Sequence, residues 1–159
     1  MKTSVFFLFV VVASTILSSC TSEENASFSF MAIGDVPYHL PEDFERFDRM
    51  IAQINKDKPA FTLHVGDIKS GHIPCSDEYY EKIKEYFDSF DEALIYTPGD
   101  NEWTDCDRES CGSYVPEERL DKLRQLFFSN DFSQGGRPIE LLRQNKTEGF
   151  EKFAENSTW

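Results

Sequence analysis

The sequence predicts an α/β fold: a parallel sheet in the order βαβαβα, with its functional loops at the carboxyl ends of the strands. Three observations carry this expectation. Short, continuous apolar runs alternate with stretches of helical periodicity. Each run closes on a Gly-Asp pair, in "AIGD" (32–35), "HVGD" (64–67) and "TPGD" (97–100). The acids Asp35, Asp67 and Asp100 recur at intervals of 32 and 33 residues, about the length of one βαβ unit. Strands that are apolar throughout argue for a sheet covered on both faces.

The elements follow in order. Residues 28–34, "FSFMAIG", are rich in β-favouring side chains and predict the first strand. In 41–58, Phe44, Phe47, Ile51 and Ile54 fall at three- and four-residue steps, one face of an amphipathic helix with Pro41 in its first turn. Pro59 ends that pattern, and 60–66, "AFTLHVG", predicts a second strand. The unit then repeats. Tyr80, Ile83, Phe87 and Phe90 share a face of a helix over 77–90, and 92–99, "EALIYTPG", predicts the third strand. A third helix over 116–128 turns Leu120, Leu123 and Phe127 to the core. Residues 129–159 carry loop punctuation and only short apolar pieces.

The equal intervals place the three acids at equivalent strand ends. Ligand sites of open α/β sheets lie along that edge. Carboxylates crowded together stay ionised when they share a cation. Their oxygens suit hard ions such as Mg, Mn or Ca, and serve Zn and Fe as well. Each preceding Gly frees the backbone for a sharp turn. The plainer alternative is that these acids are turn residues or N-caps of the following helices.

Charge and composition narrow the partners. The 159-residue chain is 40% hydrophobic and 28% charged, with a formal net charge of −13, so one globular domain is expected. A surface so acidic lacks the Lys and Arg that displace counterions from nucleic acid, and excludes that partner. An anionic small substrate is repelled unless cations sit in the site.

Residues 1–20 read as an export signal: Lys2, then the apolar "VFFLFVVVASTIL" (5–17), then small residues before Cys20. The ending "LSSC" (17–20) resembles the bacterial lipobox, which implies lipidation of Cys20 and anchoring to the cell envelope. Ordinary signal cleavage and an uncleaved anchor are the alternatives. Residues 21–27, "TSEENAS", read as a tether, leaving 28–159 as the domain. The sequons at Asn25, Asn145 and Asn156 matter only in a eukaryotic secretory route. Three further cysteines, Cys75, Cys106 and Cys111, would then lie where disulfides persist. If the loops after Asp67 and Asp100 share one rim, Cys75 and Cys106 close across it; Cys106–Cys111 is the local competitor. Metal ligation by these thiols lacks the usual CxxC spacing.

"GDVPY" (34–38), "VGDIKSG" (65–71) and "PGDNEW" (98–103), in this order and spacing, resemble the calcineurin-like metallophosphoesterases over about residues 28–150. That family's signature runs D-x-H, then GD, then GNH followed by Glu or Asp, then a lone His, then GHxH. The resemblance implies a partial calcineurin-like α/β sandwich. It also implies hydrolysis of a phosphate ester at a dinuclear site of divalent or mixed-valence ions (Mn, Fe, Zn or Mg). Asp35 matches the first-motif metal ligand, Asp67 the metal-bridging Asp, and Asp100 the metal-binding Asn. Asn101 stands for the His that assists the leaving group, and Glu102 for the trailing acid; both are catalytic candidates.

The departures are several. The first-motif His is Pro37, which ligates nothing; Tyr38, as a phenolate, or His39 is the candidate substitute. Asn101 hydrogen-bonds a phosphate oxygen but delivers no proton as His does. The downstream lone His and GHxH are absent, since the only histidines are His39, His64 and His72. His64 is expected in the core, and His72 in a loop, solvated or touching substrate. Of Arg108, Arg119 and Arg124, Arg108 is the one placed to meet a phosphate, surface pairing being their ordinary fate. Trp103 either walls the site or packs beneath its loop. Two accounts follow: an N-terminal part of a longer metallophosphoesterase, or a stand-alone lipoprotein whose degenerate site serves binding or structure.

Overall fold

The computed structural model describes residues 27–39 and 41–159. The export segment, Cys20 and Asn25 lie outside the described residues. Three strands, β1 (Met31–Ile33), β2 (Phe61–His64) and β3 (Ala93–Tyr96), form a parallel sheet in the order β1-β2-β3. The intervening segments are α1 (Phe44–Asp57) and α2 (Asp77–Asp88), and α3 (Pro116–Phe127) follows β3. Pro41 lies in the turn before α1 rather than inside it, and the helix starts at Phe44. In α3 it is Pro116 that takes the first helical position, where no N–H is needed. The Ser76 hydroxyl caps α2 by accepting from the Tyr79 N–H.

Register puts Met31, Ile33, Thr62, His64, Leu94 and Tyr96 on one face of the sheet. The helices pack there. Phe87 of α2 meets His64 and Tyr96, Phe127 of α3 meets Tyr96, and Phe47 of α1 reaches Phe90. The predicted apolar stripes are therefore the core, with Tyr80, Ile83, Phe87 and Phe90 all buried. On α3 the buried set is Arg119, Leu123 and Phe127, with Leu120 only half-buried.

The opposite face differs from the expectation of cover on both sides. Among the described residues it carries aromatic rings instead of a helix: Phe30 stacks on Phe61 at 5.2 Å, and Trp159 meets Phe61 edge-on at 5.6 Å. Phe28, Phe30 and Trp159 stay exposed. Continuous apolar strands are thus compatible with one helical layer and one thin aromatic layer.

The segment after α3 has more structure than its composition suggests. Gln134 exchanges both backbone hydrogen bonds with Leu94, at 2.9 and 2.8 Å, an antiparallel bridge on the outer edge of β3. Gly135, next to it, lies at φ +92°, and a Cβ there would collide with the Glu92 carbonyl. A short pair, β4 (Leu142–Arg143) with β5 (Ser157–Thr158), closes the chain antiparallel. The buried Arg143 guanidinium holds this region by donating to the carbonyls of Asn130, Phe132 and Ala154. Long polar side chains that satisfy backbone carbonyls leave no periodic apolar signal to read.

Candidate functional site

The loops leaving β1, β2 and β3 lie side by side at the carboxyl ends of the strands. The Asp35 N–H donates to the Gly66 carbonyl at 3.1 Å, and the Asn101 N–H donates to the Asp67 carboxylate at 3.4 Å. Asp35 and Asp67 have the same left-handed backbone, φ 55° and 54°, a conformation that Asp tolerates better than most residues. The acids themselves are the turning residues in the first two loops. Gly34 and Gly99 serve space instead: a Cβ on Gly34 would strike Val65, and one on Gly99 the Asp67 side chain and backbone.

His64 fastens two of these turns. Its Nδ1 accepts from the Gly66 N–H at 3.2 Å, which leaves Nε2 to donate to the Val36 carbonyl at 2.8 Å. Burial lowers its pKa to about 4, so the ring is neutral at physiological pH. Packing alone was the expectation; period-two alternation cannot reveal that both ring nitrogens face loop backbone.

Glu102 is fully buried, 0% exposed. Its Oε1 accepts from the Tyr96 hydroxyl at 2.9 Å and the Gly99 N–H at 2.7 Å, while Oε2 has no hydrogen-bond partner. The expectation was a catalytic acid; the bonds seen are to the loop that carries Asp100 and Asn101 and to the β3 residue Tyr96. Helix α2 braces the same loops, Tyr79 donating to the Ile68 carbonyl and Tyr80 to the Glu102 carbonyl, both at 2.7 Å. Cys75 and Cys106 are bridged with Cα atoms 5.8 Å apart, tying the loop after β2 to the loop after β3, and Cys111 is free and buried.

Two shifts of opposite sign cross here. His64 titrates near 4 when folded against 6.5 ordinarily, so the unfolded chain protonates first. The fold therefore loses stability as pH falls from 6.5 towards 4. Burial raises Glu102 to about 7 from 4.5, so its contribution is most favourable below 4.5 and is lost as pH rises through 7. The two slopes oppose each other. Removing one with Glu102→Gln is expected to make the variant lose about 2 kcal/mol more than wild type between pH 7 and 5. Urea titrations at the two pH values measure it; parallel wild-type and variant losses would refute the buried ionisation.

Asp67 and Asp100 are neighbours. The Asp67 carboxyl is pushed above its usual range, first by partial burial and then by the charges of Asp100 and Asp35. Asp35 and Asp100 are exposed. Such donors suit a hard divalent ion in kind. In number they fall short, because among the described residues no three His, Cys, Asp or Glu side chains are grouped to hold a metal ion. One Asp67 oxygen is turned to the Asn101 N–H, and Pro37, buried, supplies no donor where the resemblance implied a His.

Other candidates fall as follows. Tyr38 is half-buried and its hydroxyl accepts from Asn101 Nδ2 at 3.5 Å, while His39 and His72 are exposed. Trp103 packs half-buried against the core. Arg108 is held by Asp105 at 2.6 Å and donates to the Gly71 carbonyl at 3.4 Å. A Cβ on Gly71 would touch Arg108, Asn101 and Asp105 together, so those three side chains converge on one point of backbone. Arg119 is not a surface residue: it is buried between the rings of Tyr80 and Tyr114, donating to the Cys75 carbonyl and to Asp77 at 2.8 Å each. Arg124 pairs with Asp121 and Glu155 at the surface side of α3. Lys69, 0% exposed and bonded to the Ser70 carbonyl at 3.0 Å, gave no sequence signal, lying in a polar loop.

A family model for calcineurin-like phosphoesterases matches residues 28–155. No curated protein and no solved structure matches the chain.

Proposed function

Because the chain belongs to the calcineurin-like phosphoesterase family, we propose that it hydrolyses a phosphate ester at the strand ends carrying Asp35, Asp67 and Asp100. One observation carries this reading. Asp67 is raised first by partial burial and then by the charges of Asp100 and Asp35, and none of the three carries an ion pair among the described residues. Repulsion of that kind is relieved by a shared cation. Asp35, Asp67 and Asp100 would hold divalent ions, two in the family pattern, and Tyr38, whose hydroxyl accepts from Asn101, would be a further oxygen donor. An ion held there would activate water as the nucleophile and offset the charge of the ester.

The chain's own groups do the rest. Asn101 Nδ2, now on the Tyr38 hydroxyl, is a neutral donor for a phosphate oxygen. Arg108, half-exposed, paired with Asp105 and convergent with Asn101 on Gly71, would offer its guanidinium to a phosphate oxygen beside Asn101. Glu102 and His64 hold the turns in place through Gly99, Gly66 and Val36.

Asp67→Asn is expected to weaken Mn²⁺ binding and lower hydrolysis of an aryl phosphate, each at least about ten-fold. Calorimetry and a product assay measure the two. Wild-type protein that binds no divalent ion, or a variant as active as wild type, rejects the reading. A second reading, a non-catalytic binding protein, is favoured by the short donor count and predicts ester binding with no turnover.

The lipobox-like "LSSC" supports export and envelope anchoring through Cys20. Cys20→Ser is expected to move the protein from the detergent phase to the aqueous phase on partitioning. Unchanged partitioning would remove the anchor from the proposal.

A further inference from the structure

The loop 35–39, Asp43 and the first two turns of α1 line an open-sided hollow of about 430 Å³. Asp35 belongs to both this cavity and the acid cluster. Tyr38 joins the two from the other side, one of its faces lining the cavity while its hydroxyl accepts from Asn101. Whatever reacts beside Asp35 therefore has a hollow next to it of the size that accepts small organic ligands.

The walls say what kind of group fits. Val36, Pro37, Tyr38, Phe47 and Met50 supply mostly carbon surface, and two of them are aromatic rings. Of the polar side chains lining it, Asp35, His39, Asp43 and Arg46, the last two are engaged with each other. Asp43 accepts from the His39 N–H at 2.7 Å and pairs with Arg46 at 3.3 Å. With Asp35 and Asp43 against a single guanidinium, a second anion gains nothing there. A neutral group avoids that cost, and a flat one meets the rings by stacking or edge contact.

We infer that this cavity receives the organic half of the ester, and that the substrates are phosphate esters of neutral planar aromatic alcohols or of nucleosides. The inference rests on the phosphoesterase reading above. It makes Met50 a specificity residue lying outside the three Gly-Asp loops.

The test separates the cavity from the chemistry. Binding of 1-naphthol, adenosine and glycerol, none of which carries phosphate, is measured by calorimetry or ligand-observed NMR. Naphthol or adenosine is expected to bind and glycerol not. Met50→Trp, which fills the hollow, is expected to weaken aromatic binding at least ten-fold. Met50→Ala, which removes a wall and is the milder change, is expected to weaken it about three-fold. Mn²⁺ affinity should stay as in wild type in both. In the hydrolysis arm, naphthyl phosphate is expected to exceed glycerol phosphate at least ten-fold in kcat/KM, and Met50→Trp to abolish that preference.

Naphthol binding alone assigns an aryl group, and adenosine binding adds the nucleoside. Absent aromatic binding, or binding indifferent to both variants, overturns the inference. Hydrolysis without aromatic preference also overturns it while leaving the phosphoesterase reading intact. Aromatic binding lost in the variants, with neither ester hydrolysed by wild type, upholds the cavity and removes the phosphoesterase reading.

Discussion

Replacing Gly66 with alanine is expected to cost the fold about 3 kcal/mol and to loosen the whole acid cluster. Gly66 sits at φ +93°, where a side chain costs roughly 1–2 kcal/mol from conformation alone. The larger obstacle is spatial. An added Cβ would run into the Gly99 backbone nitrogen, and would lie 2.6 Å from its Cα and 2.8 Å from the Pro98 carbonyl carbon. Backbone offers no rotamer by which to yield, so the loops after β2 and β3 must part. The Asn101 N–H would then leave the Asp67 carboxylate, and His64 would lose the Gly66 N–H. Gly149 provides the comparison: its φ is also positive, +85°, but no atom lies within 4 Å of a Cβ built there. Gly149→Ala should lose only about 1 kcal/mol. Urea unfolding of both variants decides the matter, and equal losses would show that conformation, not close approach, sets the cost.

The Cys75–Cys106 bridge is expected to contribute about 3–4 kcal/mol, because it spans a sequence separation of 31 residues and so restricts a long loop in the unfolded chain. For a chain of this size that is a melting shift of about 10 °C. Both cysteines are fully buried, so a reductant acts only once the chain opens. Wild-type protein melted in reductant should fall to the midpoint of the double variant Cys75→Ala/Cys106→Ala, and the double variant itself should not respond. A wild-type shift under about 2 °C would mean the loops are held without the bridge. Tyr80, Glu102 and Arg119 are the groups that would then be holding them, since each bonds the same loop backbone or an adjoining helix.

Much of this architecture is legible along the chain, and the reasons are local. The helices announce themselves because Phe47, Ile51 and Ile54, or Tyr80, Ile83 and Phe87, recur at the helical period and are the residues buried. The strand ends announce themselves because the Gly-Asp pairs recur at one unit's spacing. What the spacing cannot convey is where side chains aim. Asp35, Asp67 and Asp100 reach one edge, yet three of them do not close round an ion among the described residues. Glu102 is adjacent in sequence to Asn101 but turns inward to Tyr96 and Gly99. Arg119 reads as one more surface charge on a highly charged helix until its guanidinium is seen over the rings of Tyr80 and Tyr114. The pocket beside Asp35 has no linear signature at all, since it is assembled from one loop and one face of α1.

The Gln134 bridge has a consequence for how copies of this protein meet. A sheet margin with free amides and carbonyls invites a strand from another molecule to add on. At Leu94 both backbone groups are already taken by Gln134, and the turn at Gly135 is too tight against Glu92 to swing aside easily. Pairing of one molecule with the next, in concentrated solution or after partial opening, is therefore steered, among the described residues, to the β1 margin beside the exposed rings of Phe28 and Phe30. Pairing through that side alone would close at two molecules, and a lysine placed at Phe30 is where it would be interrupted.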